Sequence, residues 1–483
     1  MLTGEINRSL LKTITIICLL IIDSLALITV FFISVEVRLI ILPKIFHFFP
    51  GDFPLTFTTH LWWMLVLCLS CLAYAGLYTK RLPFWPETRN LFIGISLAFI
   101  LIMAVVSMAK LSGDISRTTI VISYLLALVI LPLFRYLGKN LLFNLGIWTE
   151  KILIIGFNET SIQAAKAMGS DKYLGYRLAG FLIDKEEQSA KEQNNFKILG
   201  SFDDAIEIIE NKNIRHLVIA APHLSGSQLA ELSNHLQPYT RSVLIVPDLF
   251  GLPVVNGEAD YFFDEQILAL RIKNNLSSPV NLLIKRVFDL LLALLLLAPL
   301  LILLLLLAAL IKIDSSGPVF HSGNRIGCRG KEFKCYKFRT MYLNNEKILQ
   351  DYLNNNLPAR EEWQQYFKLK GADPRVTKIG SFLRKTSLDE LPQIINVLKG
   401  EMSLVGARPY LPEEKAAMGN YADTILLANP GITGLWQVSG RNEIDFASRL
   451  RMEAWYVRNW SLWLDVSLLF RTVAAVFSRK GAY

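Results

Sequence analysis

Four apolar runs fill most of the N-terminal third of the chain and constrain its fold more than any other feature. They cover about residues 11–36, 58–78, 91–110 and 118–138. Each approaches the roughly 20 residues that a helix needs to cross a bilayer. The chain is also 52% hydrophobic and only 19% charged, which is too apolar for an ordinary soluble protein. The sequence therefore predicts a membrane protein with a four-helix transmembrane bundle at residues 1–148.

The charges between these runs set a direction across the membrane. Arg8 and Lys12 precede the first run, Lys80 and Arg81 separate the second from the third, and Lys151 follows the fourth. The other two loops carry fewer cations for their length. Because cytoplasmic loops carry an excess of Lys and Arg, we expect the N-terminus and everything after the fourth run on the cytoplasmic side.

After the fourth run the pattern changes to an alternation of strands and helices. Residues 151–156 are typical of a buried parallel strand that ends in a glycine turn, and a helix is expected over 161–168. Further strands are expected at 178–183, 216–221 and 242–246. This alternation predicts a Rossmann-like α/β domain at residues 149–275.

The glycine turn after the first of these strands matches a dinucleotide-binding loop poorly. The segment Gly-Phe-Asn-Glu-Thr-Ser at 156–161 lacks the second and third glycines of the G-x-G-x-x-G pattern. The second glycine is the one that lets a pyrophosphate approach the backbone. Asp184 is a candidate ribose-binding acid, but one acid is weak evidence. A structural, dimerising or regulatory role is favoured, and a weak nucleotide site stays open.

A fifth apolar run, residues 287–313, begins after Lys285 and ends near Lys312. Its length allows another crossing, which would move the rest of the chain to the other side of the membrane. Pro299 lies near its middle and disrupts helical hydrogen bonding there. A helix broken at its centre enters one leaflet and leaves on the same side. We therefore expect a re-entrant membrane helix at about 285–313 with its hinge at Pro299. An ordinary span with a kink is the alternative.

Two adjacent carboxylates occur in the segment Lys-Thr-Ser-Leu-Asp-Glu-Leu-Pro-Gln at 385–393, which is typical of the start of a helix. Ser387 and Glu390 have the spacing of a capping box, which would make these groups structural. If Asp389 is the cap instead, Pro392 falls in the first turn, where its missing N–H costs nothing. The positive end of the helix would then favour an ionised Asp389. The capping box is the commoner arrangement, and a catalytic pair is the alternative.

Several cations follow the fifth apolar run. A strand at 334–341 would place Lys337 and Arg339 on the same face. Arg408 lies in a tight turn that suits bidentate binding of a phosphate. Arg441 ends a glycine-rich segment that is either a loop closing on a nucleotide or a simple connector. The net charge of +9 fits anionic headgroups and a phosphate-rich substrate better than nucleic acid.

Together these segments resemble a known family. Residues 284–483 resemble the catalytic domain of the bacterial polyprenyl-phosphate hexose-1-phosphate transferases, the monotopic enzymes that initiate O-antigen, capsule and exopolysaccharide assembly. The matching blocks, in chain order, are 285–289 (Lys-Arg-x-Phe-Asp), 337–341 (Lys-Phe-Arg-Thr-Met), 386–393, 400–409 and 430–441. With its spans and α/β domain the whole chain is similar to the long form of the family, and it looks closest to the galactose-specific subgroup.

The resemblance implies an α-rich monotopic catalytic domain at 280–483 and a two-step transfer. Asp389 would attack the sugar-linked phosphorus of a UDP-sugar and expel UMP. Undecaprenyl phosphate would then take the phosphosugar from Asp389, which is nucleophilic catalysis by a carboxylate. Glu390 would hold Mg²⁺. The residues placed to bind substrate phosphates are Lys337, Arg339, Arg408 and Arg441.

The resemblance also implies a bacterial inner-membrane protein with its catalytic domain on the cytoplasmic face, in contact with membrane lipid. A homodimer is compatible with the size of the α/β layer. Glucose-1-phosphate transferases share the architecture, so the sugar stays open. So do two alternatives from other classes, a non-catalytic membrane scaffold and a nucleotide-sugar sensor that acts through residues 149–270.

Two departures from the family pattern affect the expected site. Ala298 precedes the hinge proline where the family often has serine, so a hydroxyl that can bond freed backbone groups is lost. Ala407 replaces the first proline of a Gly-Pro-Arg-Pro turn, which loosens the turn but keeps the charge of Arg408.

Overall fold

A computed structural model of the chain describes residues 2–47, 49, 57–111, 115–169, 171–183, 197–246, 258–262, 267–271, 275–366, 373–440 and 444–478. The chain forms two compact units, Met1–Asp248 and Leu249–Tyr483. The predicted boundary between a bundle and an α/β domain, at residue 148, falls inside the first unit.

Long apolar helices form the first part of the first unit. Their bounds are α1 Leu2–Glu36, continued by a π-helix at Val37–Ile41 and by α2 Leu42–Ile45, then α3 Phe57–Tyr74, α4 Phe84–Met108 and α5 Arg117–Asn144. Three stretches are long and apolar enough to cross a membrane: Thr13–Ile45, Phe84–Met108 and Arg117–Asn144. The second predicted span is the shorter apolar helix His60–Tyr74. Large exposed hydrophobic side chains such as Ile100 and Val129 cover the outside of these helices, as lipid contact requires.

The bundle also contains a fully buried ion network. Arg135 donates to Asp23 through Nε at 2.9 Å and Nη2 at 2.6 Å, and to Oε1 of Glu87 at 2.6 Å. Lys139 pairs with the other oxygen of Glu87, and the Tyr78 hydroxyl donates to Asp23 at 2.6 Å. The four ionised side chains are at most 1% exposed. Two cations thus balance two anions where a single uncompensated charge would be very unfavourable.

Aromatic rings connect this network to the start of the following sheet. The Lys139 ammonium lies 4.5 Å from the ring centre of Trp148 and 4.4 Å from that of Tyr173. The Arg81 guanidinium also lies over Trp148, at 4.0 Å from the ring centre, and it donates to Glu150 at 3.4 Å. These cation–π contacts attach the end of α5 to the first strand.

The second part of the first unit is a parallel sheet. Its strands are β1 Glu150–Ile155, β2 Tyr176–Ile183, β3 Ile198–Ser201, β4 His216–Ile219 and β5 Ser242–Ile245. The order is β3-β2-β1-β4-β5 and all pairs are parallel. The helices are α6 Glu159–Gly169, α7 Ala205–Lys212 and α8 Gly226–Leu236. The predicted alternation of strands and helices is confirmed, because apolar runs such as Ile152–Ile155 are buried on both faces of a parallel sheet.

Where the strand order reverses, between β1 and β4, the segments that follow these two strands contact each other closely. A side chain at Gly156 would meet the carbonyl oxygen of Ala220 at 2.4 Å. The Asn158 amide donates to that same carbonyl at 2.7 Å and accepts from the Ser161 N–H at 2.9 Å. Asn158 therefore caps α6 at the position where a nucleotide phosphate would bind in such a sheet. Asp184, the candidate ribose-binding acid, lies outside the described residues.

The second unit contains the fifth apolar run and the segments that follow it. Its helices are α9 Pro279–Asp314, α10 Asn345–Asn355, α11 Leu357–Tyr366, α12 Lys378–Thr386, α13 Ile394–Lys399, α14 Ala422–Ile425, α15 Leu435–Ser439, α16 Phe446–Arg458 and α17 Leu462–Ser478. Its strand pairs are β6 Glu258–Phe262 with β7 Ile267–Arg271, β8 Phe320–Ile326 with β9 Glu332–Phe338, and β10 Ser403–Val405 with β11 Gly431–Thr433.

Helix α9 runs through Pro299 as one helix of 36 residues, and it is the fourth stretch that is long and apolar enough to cross a membrane. Near its beginning Lys285 donates to Asp465 at 2.6 Å, and Asp289 accepts from the Ser403 hydroxyl at 2.7 Å. Buried polar groups thus anchor its first turns to the rest of the unit.

The last turns of α9 contact the same unit. Leu307 and Ile311 are buried with Phe338 of β9 and Leu383 of α12, and Asp314 accepts the N–H of Ile379 at 3.0 Å. Between these two ends the apolar side chains are largely exposed, for example Leu295 at 73% and Ile302 at 66%. Leu300, Leu303 and Leu304 in this stretch pack against apolar clusters of the unit, whereas its exposed side chains have no covering layer among the described residues.

Candidate active site

One cavity of about 1120 Å³ in the second unit collects most of the predicted site residues. Lys337, Arg339, Asp389, Glu390 and Arg408 all line it. Arg441 lies outside the described residues. Residues from three segments that are distant in sequence thus meet around one space, and the cavity is large enough for a drug-sized or nucleotide-sized ligand.

The two carboxylates stand in a short 3₁₀-helix, Leu388–Gln393, between α12 and α13. Ser387 ends α12 in the left-handed conformation, with φ +58° and ψ +18°, and its side chain caps nothing. Neither expected cap is present, because the left-handed residue redirects the chain and the next α-helix begins only at Ile394. The segment does begin a helical stretch with both carboxylates in its first turn, but Asp389 is not its cap, so the alternative in which Asp389 caps an α-helix is not observed.

The electrostatics of the pair follow from this geometry. The Lys337 ammonium donates to Oε1 of Glu390 at 2.5 Å. Burial and the adjacent Glu390 carboxylate raise the pKa of Asp389 to about 6, while Lys337 and Arg384 oppose the rise. Burial lowers the pKa of Lys337, but the two carboxylates outweigh it and raise that pKa above its ordinary value. The two neighbouring carboxyls thus differ, since Glu390 has an ionic partner and Asp389 has a raised pKa.

Arg384 is a site residue that the sequence did not single out. Its Nε donates to the Thr340 hydroxyl at 2.9 Å, and its charge acts on Asp389. The close approach behind this contact depends on Gly380, where a Cβ atom would lie 2.1 Å from the carbonyl oxygen of Thr340. The feature that could have identified Arg384 is its position in the last turn of α12, directly before the carboxylate segment.

Arg339 occupies a different position from the one expected. Strand β9 ends at Phe338, so Arg339 does not continue the face of Lys337. Its guanidinium donates to the carbonyl oxygens of Ser315 at 2.7 Å and Ser316 at 2.8 Å, just after α9. The side chain is only 6% exposed, and this small exposed part lines the cavity. Its role in binding substrate stays a prediction.

Arg408 lies in a turn that a buried carboxylate holds. The backbone N–H of Arg408 donates to Oε1 of Glu453 at 2.9 Å, and the Tyr410 hydroxyl donates to Oε2 at 2.5 Å. Burial raises the pKa of Glu453 to about 7, although both hydrogen bonds favour the ionised form. Among the described residues the Arg408 guanidinium has no ion pair. The arginine is thus held by its backbone, and its side chain is left to face the cavity.

Comparisons with known proteins match this unit to a family. The model of a family described as "Bacterial sugar transferase" matches residues 280–479, and one described as "CoA-binding domain" matches 73–247. The chain is 38% identical over 410 residues to the undecaprenyl-phosphate galactose phosphotransferase of Salmonella typhimurium, covering 84% of each chain. The chain belongs to the bacterial sugar transferase family.

Other relatives in this family have related names. The chain is 35% identical to the UDP-galactose-lipid carrier transferase of Erwinia amylovora over 95% of its own length and 97% of the relative's. It is 30% identical to the UDP-glucose:undecaprenyl-phosphate glucose-1-phosphate transferase of Escherichia coli over 72% of each chain. As a member of the bacterial sugar transferase family, it is a membrane sugar-phosphate transferase.

The family match includes every element that carries the cavity, from β8 to α17. Within it, the described residues contain no group of three or more His, Cys, Asp or Glu side chains arranged to hold a metal. Asp389 and Glu390 are the carboxylates on the cavity wall. Mg²⁺ is commonly held by one or two carboxylates together with substrate phosphates, so this donor set fits Mg²⁺ only when a phosphate substrate is present.

Proposed function

We propose that this bacterial sugar transferase moves galactose 1-phosphate from UDP-galactose to undecaprenyl phosphate and releases UMP. The observation that carries the proposal is a single cavity in which Asp389, with its raised pKa, adjoins the Glu390–Lys337 ion pair and the side chain of Arg408. The names of the relatives at 38% and 35% identity support galactose, and the name of the one at 30% identity supports glucose as the alternative.

The first step forms a covalent intermediate. An oxygen of the ionised Asp389 carboxylate attacks the phosphorus that carries the sugar. The bond from that phosphorus to the bridging oxygen breaks, and the oxygen leaves with its electron pair on UMP. A pKa of about 6 leaves most of Asp389 ionised at neutral pH, yet makes it a stronger nucleophile than an ordinary carboxylate.

The second step returns Asp389 to its starting state. A phosphate oxygen of undecaprenyl phosphate attacks the same phosphorus, the bond to Asp389 breaks, and the carboxylate recovers its electron pair. No proton has to be moved in either step. The product is undecaprenyl diphosphate galactose, the first membrane intermediate in the assembly of an O-antigen, capsule or exopolysaccharide.

The remaining site residues balance the charges of the substrate phosphates in both steps. Glu390 would hold Mg²⁺, which when bound neutralises the phosphates and the leaving group. Lys337 orients Glu390 through their 2.5 Å contact. Arg408 faces the cavity and offers a planar fork to a phosphate, and Arg441 is proposed to approach the same ligand. Arg384 lowers the pKa of Asp389 and so favours its ionised form.

We also propose that α9 enters the membrane and returns on the same side, with Pro299 as its hinge. Both ends of α9 contact the same unit, through Asp289 at one end and Asp314 at the other. Exposed apolar side chains occur from Leu294 to Leu306, a stretch of 13 residues or about 20 Å of helix, which is shorter than the roughly 30 Å hydrocarbon core. Leu300, Leu303 and Leu304 within this stretch pack against apolar clusters of the same unit. We propose further that the cavity lies at the cytoplasmic face of the inner membrane, where the acceptor phosphate would be at headgroup level.

For the parallel sheet of the first unit we propose a Rossmann-like module with a structural role. Asn158 connects the segments that follow β1 and β4, and cation–π contacts attach the sheet to the transmembrane helices. Deleting the sheet is expected to lower the amount of folded protein more than the activity per folded molecule.

The experiment that tests the function is UMP release by the purified protein in Mg²⁺. UDP-galactose and UDP-glucose are each supplied with and without undecaprenyl phosphate, beside Asp389→Asn and the matched control Asp423→Asn on an exposed carboxyl. We expect acceptor-dependent turnover with UDP-galactose, and a loss of at least about a thousand-fold only in Asp389→Asn. Turnover with UDP-glucose but not with UDP-galactose would mean that the donor is UDP-glucose. Turnover by Asp389→Asn equal to that of the wild type would exclude Asp389 as the nucleophile.

A further inference from the structure

The ribbon formed by β8 and β9 carries two basic residues that the function above does not use. In its antiparallel register His321 lies opposite Lys337, Gly323 opposite Cys335 and Arg325 opposite Phe333. Because alternate residues of a strand share a face, His321, Gly323 and Arg325 are on the face of Lys337. Both His321 and Arg325 line the cavity that holds Asp389.

The guanidinium of Arg325 turns back along this face toward the reacting carboxyl. A Cβ atom at Gly323 would lie 3.2 Å from Nη1 and 3.9 Å from Cζ of Arg325. The side chain therefore lies over Gly323, between its own position and the His321–Lys337 pair. Within the described part of the chain Arg325 has no ion pair, and its one recorded side-chain hydrogen bond is to the carbonyl oxygen of Asn324 at 2.8 Å. A guanidinium without an anionic partner that lines a cavity is a site for an anionic ligand.

The two ends of the ribbon differ in their neighbours. At one end Phe320 stacks on Phe338 at 5.5 Å, and Phe338 is buried with the last turns of α9. At the other end the Ile326 N–H donates to the carbonyl of Tyr410. Phe333, which lies opposite Arg325, packs in a cluster with Leu292 and Leu300, so this end is next to the earlier turns of α9 and not to its last turns. The last turns of α9 thus lie at the Phe320–Phe338 end of the ribbon, and Arg325 lines the cavity from the other end.

We propose that Arg325 binds the nucleotide half of the donor, at the phosphate that leaves as UMP, and that Gly323 keeps its path open. The ligand class is a nucleoside diphosphate sugar, so the proposal rests on the function proposed above. Arg325 and Arg408 would then contact the diphosphate from the ribbon and from the β10–α14 segment respectively, with Asp389 between them at the sugar-linked phosphorus. Arg325 is a binding residue in this scheme and takes no part in bond making.

The test measures binding without turnover. In the Asp389→Asn background, the affinities for UDP and UMP are measured by calorimetry with and without Arg325→Ala. The matched control is Lys334→Ala, which removes an exposed cation from the same ribbon outside the cavity. Loss of a charged hydrogen bond predicts about 10- to 100-fold weaker binding of both nucleotides for Arg325→Ala, and no change for Lys334→Ala.

Two further measurements separate the outcomes. Arg325→Lys keeps the charge without the planar fork and is expected to bind with intermediate affinity; it also serves if the alanine variant fails to fold. Unchanged affinity for UDP and UMP in both variants would overturn the proposal, and so would weakened binding of a short-chain polyprenyl phosphate alone, which would assign Arg325 to the acceptor. If the wild type released no UMP but bound UDP in a manner that depends on Arg325, the proposed transfer would fail and the nucleotide site would stand.

Discussion

Lys337 donates to Glu390 at 2.5 Å and not to Asp389, although the two carboxylates are adjacent in the chain. The ammonium therefore fixes the orientation of one carboxylate and acts on the other only through space. Each carboxyl thus has its own electrostatic environment, which fits the proposal that Glu390 holds a metal and Asp389 is the nucleophile.

Replacing Lys337 by Met is expected to move the acid limb of the pH–rate profile. In the proposed mechanism activity requires ionised Asp389, so in the wild type kcat/KM should fall as the pH drops through about 6. Lys337 lowers the pKa of Asp389, and without it that pKa rises and the limb moves to higher pH. The profile of UMP release from pH 5 to 8 measures this, with Lys334→Met as a control whose profile should match the wild type. An acid limb that stays at the same pH in Lys337→Met would contradict the assignment of that limb to Asp389.

Asp389→Asn is expected to make the protein inactive and more stable at pH 7.5. The folded pKa of Asp389, about 6, exceeds its ordinary 3.8, so between these values the folded state binds more protons than the unfolded state. Stability from this group is present below pH 3.8 and is lost as the pH rises through 6. Because the side chain is partly exposed we expect ~1 kcal/mol, an increase of about 2–4 °C in melting temperature.

The melting temperature in detergent at pH 7.5 and at pH 5 checks this prediction. The gain should be smaller at the lower pH, where Asp389 is already largely protonated. A gain of equal size at both values would point to a cause other than the charge. The exposed Asp423→Asn variant should show no gain at either pH.

The variants Arg339→Met and Arg339→Lys distinguish a structural role of Arg339 from a role in binding substrate. Its hydrogen bonds to the carbonyls of Ser315 and Ser316 fix the chain directly after α9. Both variants should lose about 1–3 kcal/mol of stability, since neither side chain reproduces the fork. The KM for the UDP-sugar of the remaining folded enzyme should change little. A raised KM with an unchanged melting temperature would instead support the predicted contact with substrate.

Glu453→Gln is expected to reduce kcat/KM for the donor by about ten-fold, the effect of one weakened charge-assisted hydrogen bond. Glu453 accepts the N–H of Arg408, so its neutral replacement loosens the turn and misplaces the guanidinium. Tyr410→Phe removes only the hydroxyl that donates to the other oxygen of Glu453 and should have a smaller effect. Steady-state kinetics at fixed acceptor concentration compares them. Equal losses would mean that the carboxylate acts only through packing.

Arg135→Met is expected to destabilise the transmembrane part of the first unit by about 3–5 kcal/mol, because Asp23 and Glu87 would be left buried without their shared cation. Arg117→Met, on the exposed start of the same helix, is the matched control. The yield of monodisperse protein and its melting temperature in detergent measure the effect. Equal behaviour of the two variants would mean that the network adds nothing to stability.

The sheet and the apolar helices were predictable from the sequence because their signals are local. The buried run Ile152–Ile155 is β1, and the long hydrophobic runs are helices. The second span was predicted too long, since helix α3 ends at Tyr74 before the positive-φ residue Gly76. The break expected at Pro299 did not appear as an interruption of α9, and the hinge stays a prediction.

The details of the site were less predictable because they depend on contacts between distant residues. The left-handed Ser387 cannot be read from a segment that also satisfies a capping-box pattern. The Arg339 side chain donates to a carbonyl oxygen 23 residues away, and the Arg408 backbone N–H donates to Glu453, 45 residues away. Residue type identified the chemistry of these groups, while tertiary structure decided which of them remain free to bind a ligand. Homodimerisation and the ligand of the α/β sheet stay predictions.

The buried ion network makes the order in which the helices insert into the membrane important. Asp23 and Glu87 enter the membrane on the first and third long helices, α1 and α4, whereas Arg135 and Lys139 arrive only with α5. A nascent chain that has delivered only the earlier helices holds two carboxyls in lipid without counter-charges, and these must stay neutral or in contact with water. Insertion of α5 completes the bundle and supplies the aromatic contacts of Lys139. We therefore expect a product truncated before residue 135 to be less stable in the membrane than one that includes α5.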